Sequence, residues 1–134
     1  MEQRHILIAA PNEAGKRFIK LLRIHRIPVA VLTNNGREER ELRGLGVDCI
    51  LRVDTVSIKE NSVPSFPIGR VFIFESSLPL SCQYLLLLAN WSCKAITVVT
   101  GASHPEVIYR KLGASYIVHT QANDVGFLLG SWTD

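Results

Sequence analysis

The residues of this chain that could do chemistry fall into four short polar stretches: Ala10-Pro11-Asn12-Glu13-Ala14-Gly15, Thr33-Asn34-Asn35-Gly36-Arg37, Asp54, and Glu75-Ser76-Ser77. The first has the position of a phosphate-cradling loop with most of its glycines replaced. In a GxGxxG stretch, glycines allow a tight turn and let backbone N–H groups approach a pyrophosphate at a helix N-terminus. Only the last of them, which lets helix and strand pack closely, is present, as Gly15. Asn12 can take the conformations glycine takes, at some cost, whereas Pro11 removes one N–H and Glu13 sets a negative charge beside the expected phosphates. In the second stretch Thr33 stands where an acidic residue would bind an adenosine ribose. The neutral Asn34 and Asn35 followed by Arg37 suit a 2′-phosphate, or simply a polar turn. Asp54 is placed to contact an adenosine or to begin a turn.

Catalytic constellations are sparse. His5, His25, His104 and His119 are scattered, without metal-ligand spacing, and read as surface or cap histidines. No TyrxxxLys pair supports hydride transfer, since Leu88, Gly113 and Thr120 stand four residues after Tyr84, Tyr109 and Tyr116. An enzyme would have to draw its proton donor from Glu75, Ser76, Ser77, Thr100 and Ser103, the polar groups at the later strand ends. The cations Lys16, Arg17, Lys20, Arg23 and Arg26 line one helix without aromatics interleaved on the same face, Phe18 lying on the apolar one. With a net charge of only +3 they read as a solvated face and not as a nucleic-acid surface.

The elements that must position these residues alternate regularly. Strands are expected at His5–Ala10, Val29–Leu32, Val47–Val53, Arg70–Phe74, Lys94–Thr100 and Ser115–His119. Between them lie a helix capped by Asn12 with Ala14, Phe18, Leu21, Leu22 and His25 on one face, and a charged helix over Arg37–Leu45 closing at Gly46. A third helix is capped by Ser77 with Pro79 in its first turn, and a fourth is opened by the capping box Ser103–Glu106 and stopped by Gly113. Thr55–Gly69 reads as loop with one helical turn near Ser57–Asn61, and Asn123–Trp132 as a last short helix. Continuous apolar runs alternating with helices predict an α/β fold: a doubly wound, mostly parallel, Rossmann-like sheet of about six strands with helices on both faces. Ligands of such sheets sit at the carboxyl ends of the strands, where all four polar stretches fall.

Length and composition agree with one domain spanning residues 1–134: 47% hydrophobic residues, 20% charged and 7% aromatic. The longest apolar stretch, Tyr84–Ala89, is far short of the ~20 residues of a membrane-spanning helix, and the N-terminus lacks a signal-peptide cleavage site. Cys49, Cys82 and Cys93, odd in number and without CxxC spacing, suit reduced thiols in a cytoplasmic protein. Tyr84–Leu88 is apolar all around a helix, and the stretch from Gly126 to Trp132 is equally apolar. Both predict an oligomer interface or a further domain, with the helices over Pro79–Trp91 and Pro105–Leu112 against a symmetry mate.

The order and spacing of these pieces resemble the TrkA-N or RCK family, the nucleotide-binding regulators of potassium transport. The likeness is best where YLLLLAN and KAITVVT lead into HPEVIYRKLGASYIVH, similar to that family's segment ending in LGA before its last strand. GREERELRGLGVDCIL is similar to its second helix and third strand. The resemblance implies a non-catalytic domain that binds NAD(H) or another adenine nucleotide and controls a potassium channel or transporter through dimers or larger rings, at the inner face of the membrane. It places Ala10 to Gly15 at the phosphates, Thr33, Asn34, Asn35, Arg37 and Asp54 at the adenosine, and Glu75 and Ser76 at the neighbouring strand end. Ala10 and Asn12 replace that family's first two glycines and Thr33 its ribose-binding Asp. No second ligand-binding subdomain follows Trp132, so the chain is expected to be an excised domain or a stand-alone relative. The first half is also similar to NmrA-like relatives of the short-chain dehydrogenases, which would imply NADP sensing. A scaffold that binds no nucleotide is the third alternative.

Overall fold

The four inner strands are largely buried on both faces and the two edge strands only partly, as continuous apolar runs require in the interior of a sheet covered on two sides. The computed structural model describes residues 4–9, 12–101, 106–120 and 126–130. Its strands are β1 (His5–Ala9), β2 (Val29–Thr33), β3 (Cys49–Arg52), β4 (Ile68–Phe74), β5 (Ile96–Thr100) and β6 (Tyr116–His119). Its helices are α1 (Glu13–Ile24), α2 (Gly36–Gly44), α3 (Leu78–Asn90), α4 (Glu106–Lys111) and α5 (Phe127–Gly130), with a 3₁₀ turn at Ile58–Glu60. The six strands form one parallel sheet in the order β3-β2-β1-β4-β5-β6. Strand order reverses between β1 and β4, where Leu7 lies opposite Val71 and Ala9 opposite Ile73.

Alternate strand residues feed two cores. On one face Leu7, Ala9, Leu32 and Ile73 pack with Tyr84, Leu85 and Leu88 of α3 and Tyr109 of α4. On the other, Ile6, Ile8, Val31 and Phe72 pack with Phe18, Ile19 and Leu22 of α1, Leu42 of α2 and Leu128 of α5. Phe18 meets the edge of Phe72 at 4.8 Å between ring centroids and lies 5.8 Å from Phe74. At Gly15 a Cβ would sit 3.1 Å from the Phe74 ring, so this glycine sets how closely α1 approaches β4.

Several expected boundaries shift for local reasons. β4 begins at Ile68 because its first residues pair beside β1, His5 N–H donating to Pro67 O at 3.0 Å. β3 begins only at Cys49, since Val47 N–H is held by Leu42 O at the exit of α2. β5 starts at Ile96, after Ala95 turns the chain with φ of 48°. On α1 the buried face is Ala14, Gly15, Phe18, Ile19 and Leu22; His25 is an exposed C-cap and Leu21 only partly buried. Ala10, Pro11 and the Ser103-His104-Pro105 part of the capping box lie outside the described residues.

The leucine run behaves differently from expectation. Leu85, Leu87 and Leu88 are fully buried within this one chain, and only Leu86 is exposed. The outer side of α3 is covered by the chain's own 3₁₀ turn, with Ile58 and Phe66 packed into that core. The need for a symmetry mate over four leucines is therefore overturned for three of them. The tail follows suit in part: Leu128 is buried on the chain's own sheet while Phe127 is exposed.

The glycines give a direct test of the packing. Gly15→Val should cost ~1–3 kcal/mol in urea unfolding through overpacking against Phe74. Gly44→Ala, where a Cβ meets nothing within 4 Å, should stabilise the chain by ~0.5–1 kcal/mol.

Candidate functional site

At the point where strand order reverses, the loop after β1 and the end of β4 are tied together by one side chain. Asn12 caps α1, its Oδ1 accepting from Gly15 N–H at 2.9 Å, while its Nδ2 donates to the Glu75 carbonyl at 3.1 Å. Its backbone is extended, with φ of −94°, so the strained glycine-like conformation expected of Asn12 is not used. Asn in place of glycine therefore costs nothing in backbone strain here. Its effect is to fill the turn and to satisfy one of the N–H groups left free at a helix N-terminus. Glu13 is exposed, and Ala14 and Gly15 are buried against the sheet. Lys16 lies 3.6 Å from Glu13 and 3.4 Å from Glu41, so the first-turn cation is shared by two carboxylates.

At the end of β2, Thr33 is fully buried, and its hydroxyl exchanges hydrogen bonds with the backbone of Asn35 at 3.2 and 3.3 Å. Asn35 caps α2 by accepting from Glu38 N–H at 2.8 Å, and Asn34 donates to Thr55 Oγ1 at 3.3 Å. Arg37 is 86% exposed, with Glu41 3.5 Å away. The acidic residue of this corner is one that sequence reasoning passed over: Glu38, half-buried in the first turn of α2, with a buried Oε1 that has no hydrogen-bond partner. Burial raises its pKa above the ordinary carboxylate value; the Glu41 charge adds to this, and the Thr33 hydroxyl and Lys16 oppose it. The acid three residues after the Asn35 cap was the available signal.

Asp54 has a local task. Its carboxylate accepts from Val56 N–H and Ser57 N–H at 2.8 and 2.9 Å, with the Ser57 and Val56 bonds holding its pKa below the usual range. Asn61 bonds both the N–H and the carbonyl of Asp54 at 2.8 Å. This closes the segment that folds back over α3.

Glu75 is the centre of a polar cluster at the ends of β4 and β5. Thr100 Oγ1 donates to Glu75 Oε1 at 2.6 Å, and the buried Tyr109 phenol of α4 donates to Oε2. Burial, then the Glu75 hydrogen bond, pushes the Tyr109 pKa up, so the phenol keeps its proton. Tyr109 and Thr100 are distant in sequence from Glu75, and no local signal marked their meeting. Ser76 is exposed beside it. Among the described residues no three His, Cys, Asp or Glu side chains converge as a metal site. His119 pairs with Glu106 at 2.6 Å, and His5 stacks on Phe66 at 4.4 Å.

Two results follow. Tyr109→Phe should cost ~1.5–3 kcal/mol in urea unfolding, the range for a hydrogen bond to a charged group, whereas Ser76→Ala should stay within about 0.5 kcal/mol. Glu38 binds its proton more tightly folded than unfolded, so its contribution is fully present below the unfolded pKa and lost as pH rises through the folded one. Glu38→Gln removes that loss, and its stability should fall less, or rise more, between pH 4 and pH 7 than that of the native chain.

No family model and no curated protein matches the sequence. Solved structures match in fold. The GsuK channel bound to NAD superposes with a TM-score of 0.69 at 18% identity, over 87% of this chain and 21% of that one. The GsuK RCK domain gives 0.66 at 18% identity, over 87% of this chain and 26% of that one. This chain thus spans well under two thirds of either GsuK chain. The TrkA-N domain of the inner membrane protein YbaL from Escherichia coli gives 0.65 at 12% identity, over 98% of both chains. At these identities the likeness is one of fold: the chain has the fold of these TrkA-N and RCK domains.

Proposed function

We propose that this chain is a non-catalytic regulatory domain that binds an adenine nucleotide, NAD(H) foremost, at the carboxyl ends of β1, β2 and β4. The observation that carries the reading is the α1 N-terminus, held by Gly15 close against Phe74 beside the reversal of strand order. The GsuK channel, which contains this fold over part of its length, is bound to NAD. A pyrophosphate entering this corner takes the Gly15 N–H, and Asn12 must turn away to release it. Arg37 and the amides of Asn34 and Asn35 face the adenosine. Glu38, with an unpartnered carboxylate oxygen beside Thr33, supplies the acid for the ribose that the end of β2 lacks. Asp54 contributes the turn beneath.

Regulation requires the ligand to favour one arrangement of the molecule over another. Turning Asn12 breaks its hydrogen bond to the Glu75 carbonyl, and the Glu75 carboxylate is bound to Tyr109 of α4. Nucleotide occupancy is thereby felt at α4, whose outward Val107 and Ile108, with Leu86 of α3, are exposed apolar side chains. These form the contact with a second copy in a dimer or larger ring. The partner controlled is a channel or transporter, a potassium one on the family resemblance, which brings the domain to the inner face of the membrane. No helix among the described residues is long and apolar enough to cross a membrane itself.

The experiment is a thermal-shift panel of NAD, NADH, NADP, NADPH, ATP, ADP and AMP on the native chain and on the Ala10→Gly, Asn12→Gly double variant. A ligand at 100 times its Kd adds ~2.7 kcal/mol of stability, and restoring the glycines should tighten binding. No shift with any nucleotide in either protein rejects the reading and leaves a scaffold. A specific observation favours NADP(H) as the second reading: Arg37 is 86% exposed beside two neutral amides. A shift confined to NADP(H) and abolished by Arg37→Ala would select it.

A further inference from the structure

At the opposite, amino ends of the strands a cavity of ≈ 570 Å³ opens between the segment before β4 and the turn that leads from α3 into β5. Its volume lies within the range of small-molecule sites. Its wall is apolar, built by Phe66, Ile68, Trp91 and Cys93, and its charged lining residues are Arg4, Arg70 and Lys94, with no carboxylate among them. Arg4 and Lys94 have no acidic partner among the described residues. Trp91 is only 7% exposed, and its indole N–H is buried without a hydrogen-bond partner. The turn bearing Lys94 is held in an uncommon shape, with Ser92 at φ of 59° and Ala95 at 48°. Burial pushes the Cys93 thiol up to about 11.

We infer that this cavity is a second ligand site, for an organic anion with an apolar body. The body lies against Phe66 and Trp91, and its carboxylate, sulfonate or phosphate pairs with Arg4 and Lys94. The site is at the other end of the sheet from Asn12 and Glu75 and does not depend on nucleotide binding there.

The probe is 1-anilinonaphthalene-8-sulfonate, followed by its own fluorescence and by quenching of Trp91 in a Trp132→Phe background. One saturable site per chain is expected, weakened about tenfold by Arg4→Ala and by Lys94→Ala, the loss of one charge-assisted hydrogen bond. Lys94→Arg should retain it. Arg37→Ala, which removes the same charge at the carboxyl ends, should leave it unchanged, as should saturating NAD. Absence of saturable binding, equal weakening by Arg37→Ala, indifference to both Arg4→Ala and Lys94→Ala, or displacement of the probe by NAD would each overturn the inference.

Discussion

The carboxyl end of this sheet is organised around the carboxamide of Asn12. One side chain accepts the Gly15 N–H and donates to the Glu75 carbonyl, and so spans the gap between two strands whose connections leave in opposite directions. The gap exists because β1 and β4 are neighbours in space but not in sequence. In sheets of this type the gap is the natural place for a ligand. Here it is closed by the protein's own hydrogen bonds, and any phosphate must compete with them. In the function proposed, competition of that kind would weaken binding and make binding and loop release the same event.

That coupling extends further than the loop. The backbone of Glu75 is tied to α1 while its carboxylate is tied to β5 through Thr100 and to α4 through Tyr109. A residue that resembled a proton donor for catalysis is thus occupied on both oxygens by hydroxyl donors. Buried polar networks of this sort position elements relative to one another. The arrangement at β2 agrees: Thr33 is spent on the backbone of Asn35, and the nearby acid, Glu38, is kept half-buried.

Much of the fold was legible because its determinants are local. Asn12, Asn35 and Ser77 cap their helices through side chain to backbone bonds three residues long, and continuous apolar runs marked strands buried on both faces. Gly15 was legible as a packing glycine because its neighbour in the fold is the adjacent layer. What escaped were contacts between residues far apart in the chain. Nothing near Tyr84–Leu88 indicated that the turn bearing Ile58 would pack against α3, so that three of its four leucines are buried without a partner. Of the two readings open to Asp54, a turn or a ligand contact, the turn is formed, and Asn61 closes it. The pairing of Glu75 with Tyr109, and the amino-end cavity lined by Arg4, Trp91 and Lys94, are products of topology alone.

The central claim, that an adenine nucleotide binds by displacing Asn12 at the reversal point of the sheet, is tested most directly by amide nuclear magnetic resonance during an NAD titration. The largest shifts should fall on Glu13 to Lys16 and on Glu75 and Ser76, with a second group at Thr33 to Glu38 and a smaller, saturating response at Tyr109. Shifts absent at Gly15 and Glu75, or gathered instead around Arg4 and Lys94, would contradict it.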